Sequence, residues 1–244
     1  SSFQMESIFM ADVNTGYVVG DYGATFKTND GGNTWNILSS GILNNLNSVQ
    51  FADDSTGYVS GWDGVLLKTT DKGMTWNILN SRTDASLYSL FFITPATGYV
   101  IGLSNFLDSC HIFKSTNAGT TWEKIYTTSN PLTLVSIYFT DENKGYAVGD
   151  GYIMKTTDGG LSWSTCLTLD WNMLTDVYFT DNNTGYVVGD QVILKTTDGG
   201  LTWNRIFSSH HCMHLTDIFF VDQYTGFVIG ESNGCSTTAT FLLD

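Results

Sequence analysis

The stretch Lys195-Thr-Thr-Asp-Gly-Gly-Leu-Thr-Trp203 is a repeated unit that decides the fold. Its plan is an Asp or Asn, a glycine two positions later, then Thr or Ser, and a Trp. Four more copies occupy residues 27–35, 68–76, 114–122 and 155–163. The acid is expected to accept hydrogen bonds from its own turn, and the glycine to supply a positive φ. The pattern therefore predicts a hairpin whose Trp enters the core as the next strand begins.

A second fixed point is a glycine followed by an aromatic residue. The six glycines are Gly16, Gly57, Gly98, Gly145, Gly185 and Gly226. Most of them are separated by about 41 residues, which indicates a repeat array with four short strands in each unit. The sequence therefore predicts an all-β protein: a six-bladed β-propeller of four-stranded antiparallel blades. The last blade is expected to be incomplete, because no sixth box follows its third strand, predicted within 237–242.

The repeat predicts one domain over residues 1–244. Its blades are expected at about 6–40, 47–81, 87–128, 134–169, 174–208 and 215–244. Because the chain opens at Ser1 without methionine, we expect a mature or trimmed product, possibly one part of a larger protein or assembly.

The acids and tryptophans of the boxes are expected to be structural. A catalytic acid that is needed once has no reason to recur at fixed spacing. The predicted structural residues are Asp30, Asp71, Asp158, Asp198, Trp35, Trp76, Trp122, Trp163 and Trp203. We expect all five tryptophans to be largely buried at equivalent positions.

The pattern Ser/Thr-x-Asp-x-Gly-x-Thr/Ser-Trp resembles the Asp box, or bacterial neuraminidase repeat. The phrase Phe179-Thr-Asp-Asn-Asn-Thr-Gly-Tyr-Val-Val-Gly189, followed by a box, is similar to propellers of the photosystem II assembly and stability factor family. That resemblance covers nearly the whole chain and implies a non-catalytic binding propeller. It also implies an arginine-lined groove for a photosystem partner, whereas this sequence has only Arg82 and Arg205. Related repeats in secreted bacterial proteins imply an extracellular, cell-surface or periplasmic location.

The composition limits the partners. With 10 basic and 24 acidic residues the net charge is −14, which argues against nucleic acid and anionic membranes. No apolar run approaches the ~20 residues of a membrane span. The expected partner is a protein or a glycan, and no cofactor is predicted.

The expected ligand surface is the face opposite the boxes, formed by the turns between second and third strands and by the links between blades. Exposed aromatic residues beside carboxylates can stack on sugar rings or act as protein hot spots. The predicted ligand-binding residues are Trp62, Trp171, Phe106, Tyr22, Tyr152, Asp63, Asp150 and Asp190. Trp62 and Trp171 could equally cover blade edges, and the acids could be ordinary turn residues.

The histidines and cysteines of this face give weaker signals. His210 and His214 have metal-binding spacing only on a helix, so no metal site is predicted. Cys212 and Cys235 flank the first two strands of blade six, and a disulfide between them is possible.

Two function classes remain open. A sialidase grips its substrate with three arginines, and the chain has two. Another glycoside hydrolase needs only two carboxylates, which the rim could supply. Because no catalytic motif is present, a non-catalytic binding propeller is the preferred interpretation, with a glycoside hydrolase as the alternative.

Overall fold

The computed structural model describes residues 4–104, 109–128, 132–170, 172–208 and 213–231, and the backbone of 232 and 235–243. Two compact units divide the chain, residues 1–131 and 132–244. Within the described residues each unit holds three antiparallel sheets, which are successive blades.

The first unit contains blades one to three. Blade one consists of β1 (Met5–Met10), β2 (Gly16–Gly20), β3 (Ala24–Thr28) and β4 (Asn36–Ser39). Blade two consists of β5 (Leu46–Phe51), β6 (Gly57–Gly61), β7 (Leu66–Thr69) and β8 (Asn77–Ile78). Blade three consists of β9 (Ser86–Phe92), β10 (Gly98–Leu103), β11 (Cys110–Ser115) and β12 (Glu123–Thr127). Single 3-10 turns, Asp21–Gly23 and Trp62–Gly64, join the second and third strands of blades one and two.

The second unit contains blades four to six. Blade four consists of β13 (Ser136–Phe139), β14 (Gly145–Gly149), β15 (Tyr152–Thr156) and β16 (Ser164–Thr168). Blade five consists of β17 (Leu174–Phe179), β18 (Gly185–Gly189), β19 (Val192–Thr196) and β20 (Asn204–Ser208). Blade six consists of β21 (Met213–Phe220), β22 (Gly226–Ser232) and β23 (Cys235–Leu243).

The repeated glycine is required by the packing inside each blade. Gly57 begins β6 and pairs with Phe51 at the end of β5. A Cβ at Gly57 would lie 2.6 Å from the Phe51 ring. The same clash, at 2.5–2.6 Å, would occur at Gly98, Gly145, Gly185 and Gly226. The glycine therefore lets an aromatic ring from the inner strand lie flat against the second strand.

Consecutive blades within a unit are joined by aromatic stacking. The tyrosine after the repeated glycine stacks on the inner-strand phenylalanine of the next blade, at centroid distances of 3.7–4.7 Å. The four pairs are Tyr17–Phe51, Tyr58–Phe92, Tyr146–Phe179 and Tyr186–Phe220. These rings are buried together with aliphatic residues of the same strands, so the core lies between the blades.

The architecture confirms the all-β, six-bladed β-propeller predicted from the repeat. In the described part of the chain the last blade has three strands, also as predicted. The expected burial of the box tryptophans is wrong for Trp35, which is 36% exposed. Of the other four, Trp122 is buried and the rest are half-buried. Each of those four contacts a phenylalanine edge-on, whereas blade one has Met10 at that position.

Candidate binding surface

The box turns form one edge of each blade, beside the turns between first and second strands. In blade one, Thr28 Oγ1 donates to Asp30 Oδ1 at 2.8 Å, and Thr34 N donates to the same oxygen at 2.9 Å. Thr34 Oγ1 donates to Oδ2 at 2.6 Å. The same three bonds surround Asp71, Asp158 and Asp198. Gly31 N then donates to Asn14 O of the neighbouring turn.

These bonds stabilise the charged form of the box acids. The Thr75 hydroxyl, with other donors of the turn, lowers the pKa of Asp71 to about 2. The Ser162 hydroxyl leads the same effect on Asp158, whose pKa is also about 2. In blade three the position is Asn117, whose Oδ1 accepts from Thr121 N at 2.9 Å and from Ser115 Oγ at 3.0 Å. A neutral amide thus replaces the acid with nearly the same hydrogen bonds, which supports a structural role.

The opposite edge of the first unit brings two exposed aromatic residues together. Tyr22 and Trp62 lie in the equivalent 3-10 turns of blades one and two and are 64% and 47% exposed. Both turns are attached to Asn45 in the link between these blades. Its side-chain Oδ1 accepts from Tyr22 N at 3.0 Å, and its backbone oxygen accepts from Trp62 N at 2.9 Å. Left-handed φ angles of 56° at Tyr22 and 55° at Asp63 set the turns.

An apolar groove continues from Tyr22 along the outer strands of blade one. Its volume is about 600 Å³, and its lining includes Phe26, Ile37, Ile42 and Leu43. Leu43 is 81% exposed at the edge of the groove. Tyr22, Leu43, Trp62 and the groove are named the rim patch here. An exposed apolar and aromatic surface of this kind marks a site for binding another molecule.

The rim acids are less free than the sequence suggested. Asp63 is exposed and accepts from Asn44 Nδ2 at 3.1 Å. Asp150, in the second unit, accepts from Thr133 N at 2.6 Å. Asp190 Oδ1 lies 2.5 Å from His214 Nδ1, so this acid forms an ion pair when the imidazole is protonated. These carboxylates therefore hold links and turns in place, whatever else they bind.

Several predicted residues are not brought into the rim patch. Tyr152 is half-buried at the start of β15 in the second unit. Phe106, Trp171 and Cys212 lie outside the described residues, as does the side chain of Cys235, so the proposed disulfide stays a prediction. Cys110 and Cys166 are free thiols. Among the described residues no group of three His, Cys, Asp or Glu side chains is arranged to hold a metal ion.

Half of the positive charge of the chain is used within the blades. Each of five lysines lies over a tyrosine ring, 5.0–5.8 Å from its centroid. They are Lys27, Lys68, Lys114, Lys155 and Lys195. Since the chain has 10 lysines and arginines in total, few remain to form a basic binding surface.

Sequence reasoning missed the groove beside Tyr22. A signal was present in the link between blades one and two, where Ile42 and Leu43 are adjacent apolar residues in a segment expected to be polar. It also missed the pairing of Asp190 with His214, because these residues are 24 positions apart and belong to different blades.

The comparison with protein families now places the chain. The family described as photosynthesis system II assembly factor YCF48 matches residues 2–126 and 114–211. The chain belongs to this family. No curated protein matches the sequence.

Solved structures of the YCF48 family have a similar fold. The chain is 20% identical to YCF48 bound to D1 peptide, with a TM-score of 0.73, covering 95% of this chain and 76% of that one. It is 16% identical to YCF48 from Cyanidioschyzon merolae, with a TM-score of 0.62, covering 99% and 95%. A GH74 xyloglucanase from Xanthomonas campestris is 10% identical, with a TM-score of 0.67, covering 99% of this chain and 47% of that one. At these identities the likeness establishes the fold alone.

No described helix is long and apolar enough to cross a membrane.

Proposed function

We propose that this chain is a non-catalytic binding propeller that recognises a polypeptide segment through the rim patch. The observation that carries the proposal is the pair of exposed aromatic residues, Tyr22 and Trp62, which Asn45 holds side by side. Aromatic residues contribute strongly to binding because they bury a large area and lose little conformational freedom. The family includes a protein solved with a bound peptide, YCF48 bound to D1 peptide, which supports a polypeptide as the ligand class.

The groove favours an extended segment with apolar side chains. Phe26, Ile37 and Leu43 offer aliphatic and aromatic surface, and no described lysine or arginine lines the groove. Asp63 beside Trp62 adds a negative charge at one end. A segment with apolar residues and a nearby basic residue would match this surface. A glycan stacked on Tyr22 and Trp62 is the competing ligand class.

The test is a binding screen with a phage-displayed random peptide library and, in parallel, a glycan array. Tyr22→Ala and Trp62→Ala are compared with Tyr224→Ala, an exposed tyrosine in the turn between β21 and β22. We expect selected peptides to lose more than ~1 kcal/mol of binding free energy, about fivefold in Kd, in each rim variant and nothing in the control. Unchanged affinity in both rim variants, or selection of glycans alone, would overturn the polypeptide proposal.

Location belongs to the same proposal. We propose an extracellular, cell-surface or periplasmic place for the protein, supported by the resemblance of its repeats to those of secreted bacterial proteins. Fractionation of the source cells, with protease treatment of intact cells, tests it. Recovery in the cytoplasmic fraction would contradict it.

A further inference from the structure

One position of the inner strands changes residue type along the chain. It is serine in blades one to four and aspartate in blades five and six. The six residues are Ser7, Ser48, Ser89, Ser136, Asp176 and Asp217. In the first unit Ser7 Oγ accepts from Val49 N at 3.3 Å, and Ser48 Oγ accepts from Leu90 N at 3.4 Å. The side chain at this position thus ties each inner strand to that of the next blade.

Asp176 makes the same connection in the second unit and extends it. Its Oδ2 accepts from Ile218 N of β21 at 3.1 Å. Its Oδ1 accepts from Ser136 Oγ of β13 at 2.7 Å. A further side-chain hydrogen bond joins Asp176 to Asp217. One carboxyl group on β17 therefore holds the inner strands of blades four, five and six.

A hydrogen bond between two carboxyl groups requires a proton. Ionised carboxylates only accept, so at least one of the two acids must be protonated for this bond to exist. Two carboxylates that share a site cannot both ionise at ordinary pH. The other groups around Asp176 do not replace the proton: β13 offers a hydroxyl, β21 offers an amide, and the paired residue of β18 is Val188. Among the described residues Asp217 is the charged group that acts on it.

We propose that Asp176 and Asp217 share one proton and form a pH-operated lock between the inner strands of the second unit. With the proton in place, β13, β17 and β21 are tied together through Asp176. When the proton leaves, two negative charges face each other and the connection to β21 weakens. The inference is independent of the rim patch and of its ligand.

The electrostatic surroundings agree in direction. Burial, followed by the repulsion of Asp217, raises the pKa of Asp176 well above its ordinary value. Since the pKa is higher in the folded than in the unfolded state, the stabilisation is complete below the ordinary carboxyl pKa. It is lost as the pH rises through the raised value. The lock is therefore closed in acid and opens towards alkaline pH.

The test follows hydrogen exchange of the Ile218 amide by NMR from about pH 5 to about pH 9. The Leu90 amide is the internal reference, because it donates to the serine of the equivalent position and has no carboxylate partner. The ratio of the two rates removes the general pH dependence of exchange. We expect this ratio to rise by up to about tenfold for each pH unit within the titration of the pair, which is the slope for loss of one proton.

Two variants decide the cause. Asp176→Asn keeps the shape and removes the titration, and Asp217→Ser restores the residue that blades one to four carry. In both we expect a flat ratio over the same pH range, while Asp54→Asn, an exposed acid of the first unit, behaves as the unaltered chain. If Asp176→Asn does not fold, Asp217→Ser alone decides. A flat ratio in the unaltered chain, or an undiminished rise in Asp217→Ser, would overturn the lock.

Discussion

At the scale of single residues, the box acids illustrate how a charge can serve a turn. Asp158 accepts three hydrogen bonds, and Asn117 accepts the corresponding bonds in blade three without a charge. The pKa of Asp158 is lowered to about 2, chiefly by the Ser162 hydroxyl. A lowered folded-state pKa stabilises the fold above the ordinary carboxyl pKa of about 4 and is lost as the pH falls towards 2.

This predicts an acid-sensitive contribution from each box acid. The Tm of the unaltered chain should fall between about pH 4 and about pH 2, and Asp158→Asn should reduce the steepness of that fall. Asp158→Ala should lower the Tm at neutral pH as well, because the turn donors lose their acceptor. Thermal unfolding followed by circular dichroism measures both effects. A normal Tm combined with lost peptide binding in Asp158→Ala would instead make the box part of the ligand site.

Lys72 gives a second prediction at this scale. It stands where three of the other boxes have glycine and adopts a left-handed φ of 62°. That conformation costs an L-residue roughly 1–2 kcal/mol, while glycine loses about 0.5–1 kcal/mol more entropy on folding. Lys72→Gly should therefore stabilise the protein by about 0.5–1 kcal/mol. Denaturant unfolding of Lys72→Gly beside Lys72→Ala separates removal of the strain from removal of the charge, and equal stability of the two variants would contradict the strain.

At the scale of strands and turns, a tyrosine links each second strand to the box of the next blade. Tyr146 is fully buried, and its hydroxyl donates to Gly199 O at 2.7 Å. The Nζ of Lys155 donates to the same carbonyl at 2.7 Å. Blade six has no box in the printed sequence, and its own second strand carries Phe227 in place of tyrosine. The hydroxyl is therefore matched to the presence of a box on the following blade.

The prediction is a difference between two conservative variants. Tyr146→Phe should destabilise the protein by ~0.5–1.5 kcal/mol through loss of a buried hydrogen bond. Tyr186→Phe, which precedes the blade without a box, should cost less, since the stacking on Phe220 is kept. Denaturant unfolding of both variants measures the difference. Equal costs would show that the hydroxyl does not serve the box.

At this scale the sequence predicts most of the fold and little of the site. Glycine before an aromatic ring and the Asp box are local signals, and their spacing gives blade number, strand order and the edges of the turns. Pairings between different links carry no such signal. Asn45 joins Tyr22 to Trp62 through one side-chain and one backbone oxygen, and asparagine in a link is unremarkable in a sequence. The exposure of Trp35 did have a signal, namely Met10 in place of the usual phenylalanine.

At the scale of the whole chain, the described faces of the first and last blades differ from all others. On β22, Phe227 and Ile229 are 39% and 43% exposed. The residues at the equivalent positions in the other blades are at most 3% exposed. On β1, Ile8 is exposed, whereas its equivalents, from Val49 to Ile218, are buried. The contribution of an aromatic side chain to stability should therefore depend on which blade carries it.

Truncation of these rings gives the last prediction. Tyr146→Ala removes a ring that is stacked and fully buried, and it should cost ~3–5 kcal/mol. Phe227→Ala removes a ring that water already reaches, so its cost should stay well below that range. Denaturant unfolding of the two variants, at several protein concentrations, makes the comparison. If Phe227→Ala costs as much as Tyr146→Ala, the face of β22 is covered in solution. A cost that grows with protein concentration would then identify the cover as a second copy of the chain.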